Sequence, residues 1–112
     1  MKKQYLITTN VVHCKKEPYD EYIGRGSRLG NPFTHIKDRK TLAQYVVDSR
    51  ESSILNFEVY LRTLLENQRL SGSSELKDHL LSLRGKTLGC FCKPKSCHGD
   101  VIAKIIEELY YE

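Results

Sequence analysis

The run Lys86-Thr87-Leu88-Gly89-Cys90-Phe91-Cys92-Lys93-Pro94-Lys95-Ser96-Cys97-His98-Gly99-Asp100-Val101 decides how the chain is organised. Its first part is β-branched and aromatic, bounded by Gly85 and Pro94, and reads as a strand. Pro94 cannot continue a central ladder, so the strand ends in a turn. Beyond it Val101, Ile102, Ile105, Ile106 and Leu109 fall on one helical stripe, with Lys104, Glu107 and Glu108 opposite. That helix opens between residues 96 and 99. A strand that feeds a helix N-terminus is a common place for an anion-binding or catalytic site in an α/β protein.

Upstream, Leu76, Leu80 and Leu83 predict a short helix that starts near the N-cap candidate Ser74 and ends at Gly85. A longer apolar face runs through Ile54, Phe57, Leu61, Leu64 and Leu65. Thr41 and Gln44 fit a capping box ahead of Leu42, Tyr45 and Val46, which predicts helix there too. The polar run over 48–53 is either a break between two helices or the exposed face of one bent helix. Residues 5–13 read as strand, 17–20 as a turn, and Tyr22-Ile23 as a short strand ended by Gly24. Strands come first, helices next, then strand-turn-helix. The expected class is α/β or α+β, a small mixed sheet with packed helices, in a single domain over residues 1–112.

The chain has 112 residues with 39% apolar and 29% charged content, which is room for one core and an ordinary globular balance. No window approaches a membrane span, and the basic N-terminus leads into no long apolar run, so neither a span nor a signal peptide is expected. The cysteines are then expected to be reduced, in a cytoplasmic protein. The net charge of +4 is concentrated in two stretches. Residues 22–40 carry Arg25, Arg28, Lys37, Arg39 and Lys40 against Asp38; residues 84–98 carry Arg84, Lys86, Lys93 and Lys95 with no acid. This favours an anionic partner: a nucleotide, a sugar phosphate or nucleic acid. Plain solvation of surface lysines is the bland alternative.

Cys90, Cys92, Cys97 and His98 carry ligand types that zinc prefers. Their spacing argues against zinc, because knuckles place two to four residues between paired ligands. No metal or other cofactor is expected, with a zinc site of these four as the alternative. Cys97 at a helix N-terminus, beside His98, Lys93 and Lys95, instead suggests an accessible nucleophile whose thiolate is favoured by the helix dipole. His98 is a candidate acid or base, Asp100 its orienting group or a ligand contact, and Cys92 a second thiol candidate. The bland alternatives are that Cys90 and Cys92 are small buried residues and that Cys97, His98 and Asp100 are helix-capping polar residues. The sequence assigns no role to His13 or Cys14.

The second motif is Gly24-Arg25-Gly26-Ser27-Arg28-Leu29-Gly30-Asn31-Pro32-Phe33, which must be a shaped loop. It matches neither the phosphate loop nor the dinucleotide fingerprint. Gly26 permits close approach of an anion, Arg25 and Arg28 offer bidentate donors, and Ser27 and Asn31 add neutral ones. A turn-rich connection without a ligand is the alternative.

Together, residues 22–33 and 83–101 resemble the phage and bacterial family catalogued as domain of unknown function 4326, over about residues 11–106. Members often carry tryptophan where this chain has Leu29 and Phe91, changes of apolar size without loss of a polar group. The resemblance implies a compact stand-alone domain common in phage genomes, and a host-cytoplasmic location if phage-encoded. It implies no particular reaction, although the phage setting tilts the expectation toward nucleotide or nucleic-acid metabolism. The leading expectation is therefore an enzyme, a nucleotide-directed transferase or hydrolase, in which the two motif blocks wall one pocket. The alternatives are a nucleic-acid-binding module, zinc-stapled or not, with Tyr19, Tyr22 and Phe33 as stacking residues, and a phage factor that binds a host protein.

Overall fold

The computed structural model describes residues 9–24, 27–34, 45–47, 49–91, 93 and 97–112. The strand at its centre is β5, Thr87–Cys90, flanked by β1, Asn10–His13, and β2, Glu21–Tyr22. Both neighbours run parallel to β5, with Val11 opposite Leu88, His13 opposite Cys90 and Tyr22 opposite Gly89. A second ladder joins β3, Phe33–Thr34, to β4, Tyr45–Val46, also in parallel. This is the small sheet with packed helices that the sequence suggests, and its described ladders are all parallel.

β1 and β2 point the same way on either side of β5, so the chain between them must return along the sheet. Residues 14–20 make that return and bring Tyr19 onto Gly89. A Cβ at Gly89 would lie 2.7 Å from the Tyr19 ring, so the crossing needs a residue without a side chain there. Asp20 fixes the end of the return, its carboxylate accepting the Thr87 amide at 2.8 Å.

The helices are α1, Arg50–Leu70, α2, Glu75–Ser82, and α3, His98–Tyr110. Ser49 caps α1 by accepting the Ser52 amide at 3.0 Å, so part of the polar run at 48–53 is a helix start. Ser74 stands at the N-cap of α2, but its hydroxyl donates to Asp78 at 2.9 Å instead of capping an amide. Gly85, at φ 81°, turns the chain from α2 into β5. One expectation fails: Tyr45 and Val46 are strand, not helix. Residues 41–44, the proposed capping box, lie outside the described residues. Pairing with β3 outweighs a weak local pattern, and aromatic and β-branched residues suit a strand in any case.

The core gathers Ile23 and Leu29 from the loop region, Phe57 and Leu61 from α1, and Leu76, Leu80 and Leu83 from α2 and its end. Leu88 and Cys90 of β5 and Ile102, Ile105 and Ile106 of α3 complete it. Complete burial of such side chains contributes about 1.5–3 kcal/mol each before the entropy of ordering is counted. α3 lies close on the sheet at its first turn, where a Cβ on Gly99 would meet Val11 at 2.7 Å and Ile23 at 2.8 Å. Glu107 departs from the polar side expected of it. It is buried and pairs with Arg84 at 3.2 Å, and the Arg84 guanidinium stacks 3.6 Å above the Tyr110 ring centre. No helix among the described residues is long and apolar enough to cross a membrane.

Candidate functional site at the carboxyl ends of the strands

Three parallel strands have their carboxyl ends at one edge, and the residues that follow them meet there. The ladder runs on past the strands: Cys14 donates its amide to Cys90 at 2.9 Å and Ile23 to Gly89 at 2.9 Å. Open parallel sheets bind ligands outside this edge. The N-terminus of α3 opens onto the same edge.

Cys97 is the N-cap of α3 and Asp100 is its third helical residue. The Asp100 carboxylate accepts the Cys97 amide at 3.3 Å and, through its other oxygen, the Lys93 ammonium at 2.6 Å. Burial works against the Lys93 charge, but the Asp100 hydrogen bond and charge, helped by the sulfurs of Cys97 and Cys90, outweigh it. The ammonium is therefore held above its ordinary value. Lys93 is part-buried and Asp100 exposed, so this pair faces solvent.

Cys97 and His98 differ from the sequence expectation of accessible groups. Cys97 is 1% exposed and His98 is 5% exposed. His98 Nε2 donates to the Ile23 carbonyl at 2.6 Å, and its ring meets Phe57 edge-on at 4.9 Å. The first turn of α3 turns these two side chains inward because Gly99 lets the helix settle on the sheet. The Cys97 and Cys90 sulfurs are 3.3 Å apart. Cys90 is buried, as expected for a strand cysteine.

The His98–Ile23 bond joins the two motif blocks. Of the loop residues, Asn31 is buried and works as a brace. Its amide donates to Ser53 Oγ at 2.9 Å and its oxygen accepts the Phe33 amide at 2.9 Å. Ser53 in turn donates to the Phe33 carbonyl at 2.9 Å. Ser27 donates its hydroxyl to the Gly24 carbonyl at 2.5 Å. Arg28 reaches away to pair with Glu75 at the start of α2. Leu29 is a core residue. Arg25, Gly26 and Cys92 lie outside the described residues. Cys90 and Cys97 come together, but among the described residues no three histidine, cysteine or acidic side chains are placed to hold a metal.

Of the aromatic part of this edge, the sequence suggests Tyr19 and Tyr22 as stacking residues and gives no sign of His13 and Phe91. His13 follows β1 to its end, Tyr22 ends β2, and Phe91 follows β5. The Phe91 ring meets His13 edge-on at 5.8 Å and Tyr22 edge-on at 6.0 Å. Tyr19 extends the cluster, 6.5 Å from Tyr22. Phe91 is 54% exposed and Tyr19 43%. These residues are far apart in sequence, and only the parallel register brings them together. Of the stacking residues the sequence suggests, Phe33 lies elsewhere, against Tyr60 of α1. A cleft of about 550 Å³ also opens away from this edge, between α1, the α1–α2 turn and the C-terminal half of α3. Arg62, Arg69 and Lys77 line it, but so do Glu66, Glu108 and Glu112. It holds none of the motif residues.

Residues 9–108 match the family described as Domain of unknown function (DUF4326). The chain belongs to this family. A relative from Enterobacteria phage T4, the "Uncharacterized 12.4 kDa protein in nrdA-td intergenic region", is 38% identical over 100 residues. The match covers 89% of this chain and 79% of that protein. No solved structure matches the chain. The DUF4326 match takes in both motif blocks, the three-stranded sheet and nearly all of α3, so the edge described above lies wholly within the family region.

Proposed function

We propose that the chain binds a nucleotide or nucleoside phosphate at the carboxyl edge of the β1-β5-β2 sheet and acts on it as a transferase or hydrolase. The observation that carries this reading is the meeting of three parallel strand ends, an exposed aromatic cluster and the Lys93–Asp100 pair at one helix N-terminus. A base stacks on Phe91 and its neighbours. The phosphate is drawn by Lys93 and by Arg25. Asp100, exposed and tied to Lys93, is the carboxylate available for acid–base work. Cys97 and His98 act from beneath, holding the first turn of α3 in place. Melting experiments test this. Nucleoside mono- or diphosphates at millimolar concentration should raise the melting temperature more than the matching nucleosides do. Phe91→Ala and Arg25→Ala should each reduce that shift. An equal response to nucleosides, or a shift untouched by both substitutions, would remove the phosphate-binding reading.

The exposure of Phe91 and Tyr19 also supports a second reading, a non-enzymatic module for single-stranded nucleic acid, since bases stack on aromatic faces without regard to sequence. Affinity for single-stranded DNA or RNA that falls steeply with salt, together with no response to mononucleotides, would favour it.

A further inference from the structure

We propose that Cys90 and Cys97 are a dithiol–disulfide pair, closed by a small peroxide and reopened by a thiol reductant, whose closure fixes the connection between β5 and α3. The two sulfurs are 3.3 Å apart across seven positions of chain. A disulfide needs about 2.05 Å, so a small approach completes the bond. Each sulfur stands on an element anchored in the core. Cys90 is the last residue of β5, and Cys97 is the N-cap of α3.

Contact alone does not separate a reactive pair from two inert core cysteines. Lys93 does. Its ammonium feels both sulfurs, and Asp100 holds it in position at 2.6 Å. The species that reacts with peroxide is the thiolate, and the Lys93 charge favours it. Both residues are buried, so the oxidant proposed is a small one.

The chemistry balances in two steps. The Cys97 thiolate attacks one peroxide oxygen: the S–O bond forms, the O–O bond breaks, and the departing hydroxide takes a proton to become water. The Cys90 thiolate then attacks the Cys97 sulfur. The S–S bond forms, the S–O bond breaks, and a second water leaves. Two electrons pass from the sulfurs to the peroxide. The closed pair spans residues 90–97 and with them Lys93, so oxidation tethers the segment that carries the charged group of the edge. This inference does not depend on the identity of any ligand.

The test uses the full chain, reduced and then exposed to a few equivalents of hydrogen peroxide. Intact mass should fall by about 2 Da. Trypsin cuts after Lys86 and Lys95 but not before Pro94, so Cys90 falls on peptide 87–95 and Cys97 on 96–104. The expected product is these two peptides joined, separated again by dithiothreitol, and formed equally in Cys92→Ser. Fragmentation of the joined wild-type peptides locates the sulfur partner directly, so the assignment holds even if Cys92→Ser does not fold. A link through Cys92 or Cys14, or a stable sulfenic or sulfonic acid on Cys97 without any link, would overturn the proposal.

Discussion

His98 sits between the Ile23 carbonyl and the edge of Phe57, and Gly99 beside it has no room for a side chain. Two consequences follow at the scale of the residue. His98→Ala removes the donor from a buried carbonyl and the ring from the core. It should cost at least about 1–3 kcal/mol for the stranded carbonyl alone, read as a lower urea midpoint. If His98 instead served chemistry only, stability would be unchanged. Gly99→Ala should cost about 1–3 kcal/mol, because Val11 and Ile23 are both held by the sheet and cannot withdraw freely. A neutral Gly99→Ala would mean that α3 sits further from the sheet. The sequence makes Cys97, His98 and Asp100 conspicuous as residue types. It does not say which of them turn inward, because adjacent positions at a helix start point in different directions. Burial of Cys97 and His98 and exposure of Asp100 are decided by the packing of Gly99.

At the scale of elements, α3 is tied to its neighbours by charge as well as by its apolar stripe. Glu58 on α1 bonds Lys104 of α3, and Arg62 of α1 besides. These bonds and charges hold its carboxyl below the ordinary value of 4.5. A lowered carboxylate value stabilises the fold above the unfolded value, and that contribution is lost as pH falls through the lowered one. Lys93 works in the opposite sense. Its ammonium is held above the ordinary 10.5, so its contribution is present below that value and lost as pH rises through the raised one. Glu58→Gln should therefore flatten the decline of stability below pH 4.5 and leave the alkaline limb unchanged, while Lys93→Met should do the reverse. Denaturant melts across the pH range read both; an unchanged acid limb in Glu58→Gln would contradict the pairing. The buried Arg84–Glu107 pair predicts a larger effect. Arg84→Met strands a buried carboxylate and should cost ~3 kcal/mol, again by urea melt. Of the elements, α1, α2, α3 and β5 are legible because their signals are local: periodic apolar residues, a serine before a helix, a glycine after one. β4 is not legible, because its state rests on a partner strand at Phe33–Thr34 that no local pattern names.

At the scale of the whole molecule, the order β1-β5-β2 turns scattered residues into one edge. The sequence puts the charged and cysteine-bearing blocks in view, and the His98–Ile23 hydrogen bond joins them. Of the aromatic half, Tyr19 and Tyr22 are in view as stacking residues, but their meeting with His13 and Phe91 is hidden, since these rings come together only after the strands pair in parallel. The same edge, and not the cleft between α1, α2 and α3, is where the account places its ligand. That cleft is lined by charges of both signs, and the edge carries Lys93 and the exposed rings. Backbone amide shifts of the full chain, followed while a nucleoside monophosphate is added, distinguish the two. The account predicts saturable shifts at Cys14, Gly24, Phe91 and residues 97–100, with residues 62–77 and 105–112 unmoved. Shifts confined to that second group, or none anywhere at millimolar nucleotide, would contradict it.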